Sequence, residues 1–170
     1  MIMPIDWRIE PLTASHNRKD FDCGEPPLND YLRQYARQHA ASNVSRTFVA
    51  VSDTDLFKIL GYYTLSMGSL TKTNLPIALQ KKLPNFPIPI ARLGRLAVDI
   101  SGQGKGIGED LLMHAIHRCI ALSDEIGMLA VVVDAKHDKA KQFYLRYGFA
   151  ELSDLPLVLF IAASTIRDLA

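Results

Sequence analysis

Residues 95–108, reading RLAVDISGQGKGIG, constrain the fold more than any other stretch of this chain. The apolar run Leu96-Ala97-Val98 predicts a strand. It passes straight into a loop with four glycines in seven residues, Gly102, Gly104, Gly106 and Gly108. Downstream, Ile107, Leu111, Leu112, Ala115, Ile116, Cys119 and Ile120 recur at intervals of three and four, the period of one buried helical face. The helix is expected to begin near Gly106, and its first amides have no partner inside it. Glycines let a ligand come close to the backbone, and free amides at the positive end of a helix favour phosphate. The segment reads as a cradle for a diphosphate.

The bulk properties are those of one ordinary globular domain spanning residues 1–170. Hydrophobic residues make up 48% and charged residues 22% of the chain, enough for a real core at this length. No apolar run is long enough to span a membrane. The start, Met1 to Asp6, lacks the basic and apolar regions of a signal peptide. Two cysteines, Cys23 and Cys119, lie far apart and without metal-binding spacing, so neither a metal site nor a disulfide framework is expected and a reducing cytoplasm is. A net charge of +1 points to no particular partner. Two basic clusters stand out locally: Arg33, Arg37, His39 and Arg46, then Lys136, His137, Lys139, Lys141 and Arg146. Taken alone, either one reads first as a solvated helix face, with a polyanion site as the alternative.

Along the chain, Trp7 to Glu10 predicts a first strand. Phe21 to Pro27 is turn-rich, and Asn29 is expected to cap a helix reaching about Ala41 with Leu32, Tyr35 and Ala36 inward. Thr47 to Val51 and Ile59 to Ser66 read as strands around a turn at 53–55. A short helix is expected from Pro76 to Lys82. An extended connection is forced by Pro84, Pro87 and Pro89, and a central strand runs from Arg92 to Asp99. Met128 to Val133 is a continuous apolar run, as in a strand buried on both faces. The spacing of Ala140, Phe143, Tyr144 and Tyr147 marks another helix, closed by Gly148. Leu157 to Ala162 is the last strand, with Pro156 just ahead of it, and a tail helix follows from Ser164. This order implies a mixed α/β sheet with helices on both faces, and a right-handed parallel pairing of Leu96-Ala97-Val98 with Val131-Val132-Val133.

Two common phosphate motifs do not fit. No Gly-Lys-Ser/Thr tripeptide completes a Walker loop, and neither glycine triplet puts its third glycine in the register of a dinucleotide fingerprint. The pattern present is Gln-x-x-Gly-x-Gly, formed by Gln103, Gly106 and Gly108. It precedes Ala140-Lys141-Gln142-Phe143-Tyr144-Leu145-Arg146-Tyr147-Gly148-Phe149. Together these resemble the pyrophosphate and late-helix signatures of the GNAT family of N-acetyltransferases. Phe21-x-Cys23-Gly24, Leu28-Asn29-x-Tyr31-Leu32, Arg46 to Val49, Gly61 to Ser66, Leu93 to Asp99 and Val133-Asp134-Ala135 are similar to one branch, the GNAT toxins of bacterial type II toxin-antitoxin pairs. One departure lies three residues before Ala140. There many family members carry an Asn that contacts coenzyme A, and this chain has His137.

The resemblance implies the GNAT fold: a mixed, mostly antiparallel sheet with a central parallel pair formed by its fourth and fifth strands. It implies acetyl-CoA as co-substrate, no metal, an aminoacyl-tRNA acceptor acetylated on its α-amino group so that translation stops, a cognate small DNA-binding antitoxin and a homodimer. Acetyl-CoA contacts are expected from Leu96, Ala97, Val98, Gln103, Gly104, Lys105, Gly106, Ile107, Gly108 and Phe143. Tyr144 is the expected general acid, since a phenol titrates near pH 10 and keeps its proton at neutral pH. Candidate contacts to the tRNA are Arg33, Arg37, Arg92, Arg95 and Arg146. Arg95 is equally compatible with an ion pair to Asp99. Asp99, Asp134, Glu109 and His137 are weak candidates for a base, and none stands out. Two alternatives stay open: the same transfer to a small amine or a protein N-terminus, and an acyl-CoA sensor without turnover.

Overall fold

The computed structural model describes residues 6–169. The expected lack of a signal sequence falls almost wholly on residues 1–5, outside the described ones. Seven strands are hydrogen-bonded in the order β1-β2-β3-β4-β5-β7-β6: β1 (Trp7–Pro11), β2 (Arg46–Ser52), β3 (Asp55–Leu70), β4 (Ile88–Val98), β5 (Ala130–Asp134), β6 (Ala150–Leu152) and β7 (Leu155–Ala162). The helices are α1 (Pro26–Asp30), α2 (Ala36–Ala41), α3 (Ile77–Gln80), α4 (Ile107–Ser123), α5 (Asp138–Arg146) and α6 (Ala163–Leu169). Pairing is antiparallel for β1 with β2, β2 with β3, β5 with β7 and β6 with β7, and parallel for β4 with β5. This is the mixed, mostly antiparallel sheet expected from the resemblance.

The chain divides into two compact units. One comprises the described residues up to Ser66 together with Arg95–Ala115; the other comprises Met67–Gly94 and Ile116–Ala170. The first has a core of Phe21, Leu28, Tyr31, Leu32, Ala36, Val49, Val51, Ile59, Tyr62 and Ala97. β2 supplies the alternate residues Val49 and Val51, as a pleated strand requires, and β3 supplies Ile59 and Tyr62 on either side of the register shift at Ala50/Val51. Within this unit Trp7 donates its indole N–H to Asp110 on α4 (2.9 Å), and Tyr63 pairs with His114 one turn on (2.5 Å). The first turn of α4 settles against β3 at Gly61. A Cβ there would lie 2.8 Å from Leu111 Cδ1 and 3.0 Å from the Ala97 carbonyl oxygen. The second unit packs Leu70, Leu75, Ile90, Ala130, Val132, Leu152 and Phe160.

Several sequence expectations need correction. The first helix starts at Pro26, not Asn29. Pro26 and Pro27 occupy its first positions, where their missing N–H groups cost nothing. Asn29 lies inside the helix, buried. A π-helical turn, Tyr31–Tyr35, follows, with Ala36 N–H donating to Tyr31 C=O. The extra residue in that turn shifts the helical phase: Leu32 and Ala36 are fully buried as expected, but Tyr35 is 46% exposed. β4 begins four residues earlier than expected and includes Pro89. Its parallel register runs from Ile90↔Ala130 to Leu93↔Val133, upstream of Leu96-Ala97-Val98. The hairpin of β6 and β7 was not anticipated. Its turn rests on Asp154, at φ +63°, and Pro156 sits inside β7 beside the register shift at Leu152, where a missing N–H is tolerated.

Two helix ends carry clear local logic. Gly148, at φ +93°, closes α5. At its start His137 takes the capping place, its Nδ1 accepting from Ala140 N–H (3.2 Å), a role commonly filled by Asn. We expect His137→Ala to lower stability by about 1 kcal/mol and His137→Asn to retain most of it, measured by denaturant titration. We expect Gly61→Ala to destabilise by about 1–3 kcal/mol, seen as a lower melting temperature, because the added methyl meets backbone as well as side chain.

Candidate functional site

The glycine loop lies in the first unit. β4 ends at Val98, and Asp99 caps the 3-10 turn Ile100–Gly102. Its Oδ2 accepts from the N–H (3.0 Å) and hydroxyl (2.6 Å) of Ser101, and its Oδ1 from Asp22 N–H (2.9 Å). These bonds occupy the Asp99 carboxylate, leaving it a cap and not a base. Arg95 does not pair with it. Its guanidinium lies over the Tyr31 ring, 3.6 Å from the centroid.

The glycines do different things. Gly104 and Gly106 have φ +80° and +93°, and a Cβ at either would meet open space. Backbone conformation alone demands glycine there. Gly102 has no such conformation, but its Cβ would fall 2.8 Å from Ile107 Cδ1, so its role is close packing. The loop from Gln103 to Gly106 is exposed, whereas Ile107 is buried. Ile107 thus offers a ligand only its backbone. Gln103 turns its side chain inward, donating Nε2–H to Val98 C=O (3.0 Å) and Cys23 C=O (3.2 Å). Lys105 Nζ bonds Ser101 C=O (3.1 Å). What faces solvent is therefore a run of backbone opening a helix of 17 residues, whose first-turn amides have no intrahelical acceptor. Leu96 and Val98 are half-buried and Ala97 is buried.

Tyr144 lies in the second unit, on α5, and is 7% exposed. Phe143 and Phe149 pack edge-on against its ring at 5.3 and 5.6 Å. Burial, with a smaller contribution from the charge of Asp134, pushes its pKa well above the ordinary phenol value. Its hydroxyl makes no hydrogen bond to another described residue. It is thus a protonated donor free to turn toward a ligand, but a weaker acid than the sequence reading assumed. Asp134 is bridged to Arg92 (2.6 Å), and His137 is occupied as the α5 cap.

The five candidate arginines have different surroundings. Arg33 donates to Phe21 C=O (2.5 Å), Arg92 to Asp134, and Arg95 lies on Tyr31. Arg37 and Arg146 are exposed, with Arg146 5.8 Å from the Phe143 centroid. Sequence reasoning missed Asp22 and Asn29. Asn29 joins Cys23 N–H (2.9 Å) to Asp22 Oδ1 (3.0 Å). The only signal was their place within Phe21-x-Cys23-Gly24 and Leu28-Asn29. Among the described residues no group of His, Cys, Asp and Glu is arranged to hold a metal.

Residues 78–157 match the acetyltransferase (GNAT) domain. A protein of Mycobacterium tuberculosis named tRNA-acetylating toxin is 38% identical over 149 residues, covering 88% of this chain and 87% of its own. Among solved structures, a tyrosine-to-phenylalanine mutant of KacT superposes with TM-score 0.92 at 35% identity, over 96% of this chain and 99% of that one. AtaT complexed with acetyl-methionyl-tRNAfMet gives TM-score 0.90 at 34% identity, over 96% and 99%. A tyrosine-to-phenylalanine mutant of AtaT bound to the C-terminus of the antitoxin AtaR and acetyl-CoA gives 0.82 at 31%, over 96% and 98%. The chain belongs to the GNAT family of acetyltransferases, among the tRNA-acetylating toxins.

Proposed function

We propose that this protein transfers acetyl from acetyl-CoA to the α-amino group of an aminoacyl-tRNA and so blocks translation. The observation that carries this reading is the 38% identity to a tRNA-acetylating toxin across 88% of the chain. The likeness to AtaT with acetyl-methionyl-tRNAfMet supports it. Residues 1–170 act as one acetyltransferase domain, in the cytoplasm. Among the described residues no helix is long and apolar enough to cross a membrane. A small DNA-binding antitoxin and a second copy of the chain are the proposed partners, the former by analogy with the AtaR complex.

Acetyl-CoA, as co-substrate, supplies an acetyl group activated as a thioester. In our reading the backbone of Gln103 to Gly108 binds its diphosphate, helped by Lys105, whose ammonium sits on the loop. Leu96, Ala97 and Val98 pair through main-chain groups with the pantetheine arm, and Phe143 covers it. Gln103 contributes as a brace through its bonds to Val98 and Cys23. Holding donor and acceptor together supplies much of the acceleration. The neutral amine attacks the carbonyl carbon, the carbon–sulfur bond breaks, Tyr144 gives its proton to the departing thiolate, and the proton released by the amine returns through solvent to the Tyr144 phenolate. An α-amine titrates near pH 8, against about 10.4 for lysine. It reaches its neutral form without a dedicated base, consistent with caps and ion pairs occupying Asp99, Asp134 and His137. Arg37 and Arg146 are the proposed phosphate contacts, with Arg33, Arg92 and Arg95 supporting them from their internal partners.

We expect Tyr144→Phe to keep the melting temperature and coenzyme A uptake while kcat falls about 100-fold. The wild-type rate should rise through about pH 8 as the amine loses its proton, and show no fall up to about pH 10. The raised pKa keeps Tyr144 protonated across that range, so a decline there argues against it as the acid. Mass spectrometry of charged tRNA incubated with protein and acetyl-CoA tests the whole reading. A gain of one acetyl on the aminoacyl group is the expected result, and acetylation confined to free amines or peptides is the contrary one.

A further inference from the structure

The sequence pattern Phe21-x-Cys23-Gly24 with Leu28-Asn29 has no part in the chemistry above, yet its residues meet the glycine loop at several points. Asp22 presents both backbone groups to the start of that loop: its N–H donates to Asp99 Oδ1 (2.9 Å) and its C=O accepts from Ile100 N–H (2.8 Å). The next carbonyl, that of Cys23, accepts from Gln103 Nε2–H (3.2 Å). Residues 22–23 therefore grip both ends of the 3-10 turn that feeds the loop. This grip needs a sharp bend after Cys23. Gly24 supplies it at φ +88°, its N–H bonded to Asp22 Oδ1 (2.9 Å).

Asn29 locks the bend from α1. Its Oδ1 accepts from Cys23 N–H (2.9 Å), and its Nδ2–H donates to Asp22 Oδ1 (3.0 Å). The side chain is 6% exposed. Arg33, one turn further along the helix, adds a bond to Phe21 C=O. The bonds from Gly24 and Asn29, in that order, hold the Asp22 carboxyl below the usual carboxylate range, aided by the charge of Arg33 and opposed by burial. Two of the bend's backbone donors, Cys23 N–H and Gly24 N–H, are thus taken by the side chains of Asn29 and Asp22.

We infer that Asn29 and Asp22 are positioning residues for the diphosphate: they clamp 21–24 against 99–103, and this clamp holds the glycine loop in its binding form. The inference rests on the reading of that loop as the diphosphate cradle. A loop with two glycines at positive φ has many conformations to lose on binding. Preorganising it removes that cost from the binding event. The clamp therefore acts on acetyl-CoA affinity and not on the chemical step.

The test is calorimetric titration with coenzyme A, with steady-state kinetics and a melting curve for each variant. Asn29→Ala should weaken coenzyme A binding and raise KM for acetyl-CoA by about tenfold, with kcat within about twofold, through the loss of two hydrogen bonds, one of them to the Asp22 carboxylate. Asn29→Asp sets two carboxylates face to face and should do the same. Adding Asp22→Asn to Asn29→Asp removes the like-charge contact and restores a donor–acceptor pair between the two side chains, although the atom that accepted from both Gly24 and Asn29 can no longer serve both, and should recover at least about threefold of the affinity lost in Asn29→Asp. This exchange pair keeps the test decisive if Asn29→Ala does not fold. Folded single variants with wild-type affinity, or loss of affinity that the exchange fails to recover, overturn the inference. No coenzyme A uptake by the wild type overturns the diphosphate reading and this inference together.

Discussion

The buried carboxylate of Asp99 is the interaction on which the corner between β4 and the glycine loop depends. It stands where β4 gives way to the glycine loop, and it satisfies three donors at once: two from Ser101 and one from Asp22. A carboxylate 8% exposed is tolerated only when such donors replace water. By taking them it fixes where the strand stops and how the chain turns toward α4. Asp99 N–H in turn donates to Leu60 C=O on β3 (2.8 Å), so the corner is anchored to the sheet as well. One residue along that strand, Gly61 leaves room for Leu111 and Ile107. The loop is open to ligand because the two sides of it are closed.

A different economy governs Tyr144. Nothing polar holds its hydroxyl, and aromatic neighbours hold its ring. The same burial that fixes the ring makes the phenol a poorer acid in the free protein. Asp134, whose charge adds to this effect, is tied to Arg92, which keeps its carboxylate committed to an ion pair.

The departures from sequence expectation share a cause. Asn29 is a common capping residue and its position invites that reading, but Pro26 and Pro27 start the helix earlier and free the Asn side chain for the bend at Cys23. Tyr35 falls on the apolar stripe only if the helix keeps 3.6 residues per turn; the π turn breaks that period. Leu96-Ala97-Val98 resembles a strand segment that should pair with Val131-Val132-Val133, yet the parallel register ends at Leu93. In each instance the local pattern is genuine and its surroundings decide its use: adjacent prolines for Asn29, a π turn for Tyr35, a distant strand for Leu96-Ala97-Val98.

Periodicity, glycine spacing and the order of elements were enough to give the class of fold and the strand–loop–helix segment around the glycines, while Tyr144 was singled out only by the resemblance to a family. These are short-range properties, set by the dihedral limits of glycine and proline and by the two repeats of helix and strand. The roles of Asn29, Asp22, Asp99 and Gln103 were legible only in three dimensions. Hydrogen bonds between residues as far apart as Asp22 and Asp99, or Cys23 and Gln103, leave no periodic trace in a single chain. The same holds for the acidity of Tyr144, because a side chain's desolvation is a property of what the fold packs around it.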